Sequence, residues 1–331
     1  MKLHLQFYSI NIRAILNNLM LMTLVLGGAS YAQDYPSKAL RIVVPFPPGG
    51  STDIAARIVG EKLSLITKQT VLIENKAGAN GGIGAEIVAR SSPDGYTILL
   101  GNLGIMAINP AIYERLSYDP RKQFVPVAMN VVSPLILIAH PSTGIHNVAD
   151  LITRAKNEPG KLTFSSGGNG SAAHLAAELL NYSTGIQTLH VPYKGAAPAT
   201  MAVATGEVVY GFSGQGPSWP LVKAGKLRAL ALSGPKRSVE HPDTTVVAEI
   251  VANFEVLDWN GMLLPVGTPT EIIQKLNQLI NETLNDPDTR SKLQANGLDA
   301  TPRTSEQFAV FIRGEQEKWT KVAKAAKVRA D

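Results

Sequence analysis

Two short stretches carry residue types that can hold a small anion. They are Val43-Val44-Pro45-Phe46-Pro47-Pro48-Gly49-Gly50-Ser51-Thr52-Asp53 and Leu162-Thr163-Phe164-Ser165-Ser166-Gly167-Gly168-Asn169-Gly170-Ser171. Each begins as an apolar strand, breaks at Gly or Pro, and enters a helix through small hydroxyl residues. A helix start leaves backbone N–H groups unpaired and carries partial positive charge. Glycines let a ligand approach the backbone closely. Two such starts suggest half-sites that close on one small anion. The alternative is that both are ordinary strand-to-helix loops of an α/β protein.

Three further turns follow strands and could line the same cleft: Asn75 with Gly78-Ala79-Asn80-Gly81-Gly82, Gly101-Asn102-Leu103-Gly104, and Tyr193-Lys194-Gly195-Ala196. All would lie at the carboxyl edge of a sheet, where open α/β sheets bind ligands. Other chemistries fit less well. Gly168-Asn169-Gly170-Ser171-Ala172-Ala173 has dinucleotide-like spacing, but the following strand ends His190-Val191-Pro192-Tyr193-Lys194, with no acid for a ribose. Ser171 and His174 could touch on one helix face, so a Ser-dependent hydrolase is the enzymatic rival. No Gly-x-Ser-x-Gly elbow is present, and Glu178 is the best available orienting acid. His174 reads more simply as a helix residue that packs or bonds locally. His, Asp and Glu show no metal-ligand spacing.

Strands and helices alternate from residue 40 onward, as positioning these loops requires. Strand 40–45 leads to a helix over 52–66, with Ile54, Ile58, Leu65 and Ile66 at helical spacing. Strand 70–74, a helix over 85–90 and strand 96–100 follow. A second unit has strands at 135–139, 161–165, 188–191, 208–212 and 227–233 and helices at 171–180 and 196–204. Asn147 is expected to cap a helix carrying Asp150 in its first turn. Such units imply parallel sheets covered on both faces. The tail reads as two helices, opened by capping boxes at Thr268-Pro269-Thr270-Glu271 and Thr304-Ser305-Glu306-Gln307. They have no strands of their own and should pack back on the first unit. The division is residues 34–133 plus 253–331 as one domain and 134–252 as the other.

The 331 residues suffice for two domains, and 45% hydrophobic content supports a substantial core. The formal net charge is +5, too mild and scattered to indicate nucleic acid. Residues 1–32 hold Lys2 and Arg13, an apolar stretch at 19–26, and Ser30-Tyr31-Ala32. That is the layout of a secretory signal peptide cleaved after Ala32, with an uncleaved anchor as the alternative. With no cysteine, disulfides, thiolate metal sites and a lipid-modified Cys are excluded. The mature chain is expected to be soluble in its compartment.

At these loops the chain resembles the tripartite tricarboxylate transporter substrate-binding proteins, the Bug proteins of bordetellae and their relatives. The resemblance is carried by Pro45-Phe46-Pro47-Pro48-Gly49-Gly50-Ser51-Thr52-Asp53, Glu74-Asn75-Lys76-Ala77-Gly78-Ala79, Asp94-Gly95-Tyr96-Thr97 and Ala107-Ile108-Asn109-Pro110. Val191-Pro192-Tyr193-Lys194-Gly195, Ala224-Gly225-Lys226-Leu227-Arg228-Ala229-Leu230-Ala231 and Pro265-Val266-Gly267-Thr268-Pro269 continue it across the mature chain. It implies an α/β, type II periplasmic binding protein with a cleft between two α/β domains. It further implies a periplasmic receptor without catalysis or cofactor, expected to be monomeric, that passes a small organic carboxylate to membrane transporter subunits. A solute sensor feeding a membrane signalling partner is an alternative. The ligand-binding residues it implies are Phe46, Gly50, Ser51, Thr52 and Asp53, then Ser165, Ser166, Asn169, Gly170, Ser171 and Ala172. Asn75, Asn102 and Lys194 join them from the turns above. The chain departs from the family at Met106, where His is common, at Val209, in place of Asp after Gly206-Glu207-Val208, and at Ser213, in place of an acid. These departures either point to a less polar ligand or lie away from it.

Overall fold

The computed structural model describes residues 35–238 and 240–330. The expected signal peptide lies outside them. The first sheet is built on β1 (Leu40–Val44), β2 (Val71–Asn75) and β3 (Thr97–Asn102), which run parallel. β10 (Leu257–Pro265) runs antiparallel between β3 and β4 (Phe124–Pro134), and β11 (Asp299–Ala300), antiparallel to β4, closes the order β11-β4-β10-β3-β1-β2. The second sheet has the order β7-β6-β8-β5-β9. In it β6 (Thr163–Ser166), β7 (Leu189–Pro192) and β8 (Tyr210–Ser213) are parallel, and β5 (Ile136–Ala139) is antiparallel to both β8 and β9 (Arg228–Leu232).

Both sheets are therefore mixed: the strands of the strand–helix units pair in parallel as expected, and antiparallel strands join them. The cause is two crossings between sheets. Leu135 alone separates β4 from β5, so the chain enters the second sheet without a helix and in the opposite sense. It returns from β9 to β10 through residues 233–256. Ser233 ties the two crossings together: its N–H donates to the Leu135 carbonyl (2.8 Å). Its hydroxyl accepts from Leu135 N (2.8 Å) and donates to the Val256 carbonyl (2.5 Å). β10, an inner strand, thus precedes the tail, and within the tail the short strand β11 joins the helices, where no new strand is expected.

Helices cover these sheets. α1 (Ser51–Thr67) buries Ala55, Ala56, Val59 and Leu63 on the first sheet. Of the residues expected there, Ile54, Ile58 and Ile66 pack at the margin, whereas Leu65 is exposed. α2 (Gly82–Ala89) follows a single 3-10 turn, and α3 (Asn109–Ile112) follows a π-helical turn over Gly104–Ile108. The second sheet carries α4 (Val148–Asn157), α5 (Ala172–Thr184), α6 (Ala196–Ala204) and α7 (Gln215–Lys223). Asn147 caps α4 through Asp150 N, as its side chain predicts. α7 is not expected from its sequence, because Pro220 inside it cannot donate a helical hydrogen bond.

The tail contains α8 (Thr270–Asn285), α9 (Pro287–Gln294) and α10 (Ser305–Ala325). The capping box at Thr304 forms with Gln307 in both directions (3.0 and 3.2 Å). The one expected at Thr268 does not. α8 begins two residues later without a side-chain cap, and the Thr268 hydroxyl turns back to the Pro265 carbonyl (2.8 Å). No described helix is long and apolar enough to cross a membrane.

Candidate ligand-binding site

The first loop is held by a buried acid. Asp53, 3% exposed, accepts from Gly49 N (2.9 Å) and takes two bonds from Arg57 (3.0 Å each). Asn75 donates to Asp53 (2.9 Å) and to the Phe46 carbonyl (3.0 Å). Burial pushes the Asp53 carboxyl up, but the bonds from Arg57, Gly49 and Asn75 outweigh it and hold it below the usual carboxylate value. Asp53 and Asn75 therefore brace the loop with the groups expected to meet a ligand. What the brace presents is the start of α1. Gly49 turns the chain at φ 88°, Gly50 and Ser51 are exposed, and no side chain caps the helix. Its first N–H groups face outward without an intrahelical partner.

The second loop is held by two histidines. The ring of His174 stacks on that of His190 at 3.8 Å and lies over Phe164. Burial, then the neighbouring His190, lowers His174 to about 3, and burial lowers His190 to about 4, so both are neutral. Neutral His174 Nδ1 accepts from Gly170 N (3.1 Å). His190 Nε2 lies 2.6 Å from the Ser166 hydroxyl, which also accepts from Gly168 N (3.1 Å). Ser165 donates to the Ala199 carbonyl (2.9 Å). Ser171 caps α5 by accepting from His174 N (3.3 Å), which leaves its O–H free to donate. Ala172 opens the helix behind it. Asn169 and Lys194 are exposed. Gly170 is buried, with its amide committed to His174.

A chain of contacts joins the two loops through the turn over Ala79–Gly81. A Cβ on Gly81 would lie 3.3 Å from Phe46 Cζ, and a Cβ on Gly170 would lie 3.8 Å from Asn80 Nδ2 and would meet Ile112. Asn80 donates to Asn109 (2.7 Å) and is bonded back through its carbonyl (3.1 Å). Asn102, at the end of β3, accepts from Ile105 N (3.1 Å) and starts the π-helical turn. The family departures are buried or half-buried. Met106 is a core residue, 1% exposed, Val209 packs on the core, and Ser213 is buried against Thr200 (2.6 Å).

The hydrolase geometry is absent. Ser171 bonds the backbone N–H of His174, and the imidazole faces Gly170 N on one side and Glu178, at 3.7 Å, on the other. No base is placed on the Ser171 hydroxyl. Among the described residues no cluster of three His, Asp or Glu is placed to hold a metal.

Sequence reasoning missed one acid at this edge. Asp258 on β10 has its carboxyl pushed up to about 6 by burial. Its signal was an acid inside the otherwise buried strand Leu257-Asp258-Trp259-Asn260-Gly261-Met262-Leu263-Leu264. A cavity of about 810 Å³, a size suited to a small molecule, opens beside this edge between Trp219, Lys223, Leu257 and Gly297. None of the residues expected to bind ligand lines it.

The sequence matches the model of the tripartite tricarboxylate transporter family receptor over residues 55–328. It is 34% identical over 295 residues to BugT of Bordetella pertussis, covering 88% of this chain and 90% of that one. The structure superposes on Rpa4515 of R. palustris, solved with adipate, with TM-score 0.81 and 34% identity, covering 89% of this chain and 99% of that one. MatC from Rhodopseudomonas palustris, solved with bound malate, gives TM-score 0.76 and 29% identity, covering 87% of this chain and 99% of that one.

Proposed function

We propose that this chain, which belongs to the tripartite tricarboxylate transporter receptor family, captures a small organic carboxylate and delivers it to membrane transporter subunits. It works in the periplasm, after removal of residues 1–32, as a monomeric type II binding protein. The observation that carries this reading is the pair of strand-to-helix starts, uncapped at α1 and capped by Ser171 at α5. Both offer N–H donors to an anion. The main-chain N–H groups of Ser51 and Thr52, with those of Ala172 and the Ser171 hydroxyl, would hold the carboxylate. Phe46 walls the space, and Asn169 and Lys194 lie at its exposed rim. The lobes would divide at the Ser233 crossings, residues 34–133 plus 253–331 forming one and 134–252 the other.

The test is a thermal-shift panel of mono-, di- and tricarboxylates, read beside amines and neutral sugars. A stabilising carboxylate present at 100 times its dissociation constant should add about 2.7 kcal/mol. Ser171→Ala should weaken its binding by about tenfold or more, the loss of one hydrogen bond to a charged group. Stabilisation by amines or sugars alone would overturn the reading.

A further inference from the structure

The cavity of about 810 Å³ beside the start of β10 is walled by segments far apart in the sequence. One wall is α7. Gln215, Trp219 and Lys223 follow at four-residue spacing, so they share one helix face, and all three line the cavity. A second wall is the end of β4, the start of β10 and the turn from α9 to β11, with Val132, Leu257 and Gly297. The two walls meet where a Cβ on Gly297 would lie 3.5 Å from Gln215 Cβ. Residues 235–241 of the crossing from β9 to β10 supply a third side. They are tied down on both flanks: Arg237 donates twice to Glu249 (2.7 and 2.8 Å), and Glu240 accepts from Gln294 of α9.

The lining has the parts that an aromatic anion needs. The Trp219 indole stacks on the His241 imidazole at 3.6 Å, and its N–H donates to Gln215 Oε1 (3.2 Å). These contacts fix the ring, yet Trp219 is only half-buried and borders the open space. A flat ring laid against it would bury apolar surface on both partners. Leu232 adds to the apolar walls, and a cavity of this size with a few polar groups is the usual form of a small-molecule site. Its charges are not balanced. Arg237 is committed to Glu249, and Glu240 to Ser238 and Gln294. Lys223 and Lys236 form no ion pair among the described residues, against one unpaired acid of the lining, Asp299 on β11. Lys223 stands about one helical turn, roughly 5 Å, beyond Trp219, a spacing that an aryl acid spans.

We propose that this cavity is a second binding site, separate from the two helix starts, and that it takes a small aromatic organic anion, its ring on Trp219 and its charge on Lys223. The probe is phenylacetate, with phenylacetamide as the neutral counterpart and acetate as the anion without a ring. Of the three tryptophans, Trp259 and Trp319 are fully buried, so a change in tryptophan emission during titration reports Trp219. Phenylacetate should change the emission saturably and bind about fivefold or more tighter than phenylacetamide, as an exposed ion pair provides. Acetate should leave the emission unchanged. Lys223→Gln, a surface change, should abolish the preference over the amide. Trp219→Ala, followed by calorimetry, should weaken phenylacetate binding about tenfold. Ser171→Ala should leave it unaltered. The absence of a saturable change in the parent overturns the inference, as does a preference that survives Lys223→Gln. Binding that is lost in Ser171→Ala also overturns it, by placing the ring at the helix starts.

Discussion

Single residues at the cleft divide into those that hold it and those that face it, and Asp258 carries the clearest signature. Burial pushes its carboxyl up from 3.8 to about 6, against the lowering effect of Ser51. Such a group favours the folded state when protonated and penalises it when ionised. Stability relative to an uncharged residue is therefore full below about pH 4 and falls as pH rises through 6. Without ligand, Asp258→Asn should match the parent at pH 4 and exceed it by about 2–3 kcal/mol at pH 8, from a shift of roughly two units. Urea denaturation at both pH values measures the difference, in which all other titrating groups cancel. A difference independent of pH would show that the carboxyl is not perturbed. His174 illustrates the holding role. The sequence places it as a locally bonded helix residue, and it is one, but its ring reaches back to fix Gly170 at the helix start. No spacing rule reveals that reach, because it depends on the loop folding over the helix.

Elements show where local signals decide and where packing overrides them. Two Thr-x-x-Glu/Gln patterns read alike, yet only Thr304 with Gln307 closes as a reciprocal cap. Near Thr268 the chain leaves β10 through a turn in which Thr268 bonds Pro265, which removes the side chain from capping duty. Gln307→Ala should therefore destabilise the protein by about 0.5–1 kcal/mol, within the range for lost caps. Glu271→Ala, at the pattern that does not close, should stay within about 0.5 kcal/mol of the parent, as surface changes do. Equal costs in thermal denaturation would contradict this assignment. β4 was illegible for a related reason. Two register shifts against β10 leave Val127 and Asn130 without a partner residue and break its alternation. A bulge is visible only once the partner strand is known.

At the scale of the whole molecule, apolar packing joins the two sheets. One continuous apolar cluster includes Val43 and Leu99 of the first sheet, Leu137 and Phe164 of the second, and Trp319 of α10. The crossings are bonded through Ser233 as well. Without ligand the protein should unfold in one calorimetric transition, with calorimetric and van't Hoff enthalpies agreeing. Two resolved transitions would show that the lobes fold independently.

The sequence by itself determined what short-range chemistry fixes: strand-to-helix order, the α1 and α5 starts, the Asn147 and Thr304 caps, and the family that these loops mark. Helical periodicity, turn residues and caps act within a few neighbours, so one chain suffices to read them. Tertiary structure alone decided strand direction in the mixed sheets, the entry of β10 between β3 and β4, and which side chains brace the loops. Those depend on groups far apart in the chain. Asp258 is 207 positions from Ser51 along the sequence, and only the fold brings the two near enough for the hydroxyl to act on the carboxyl.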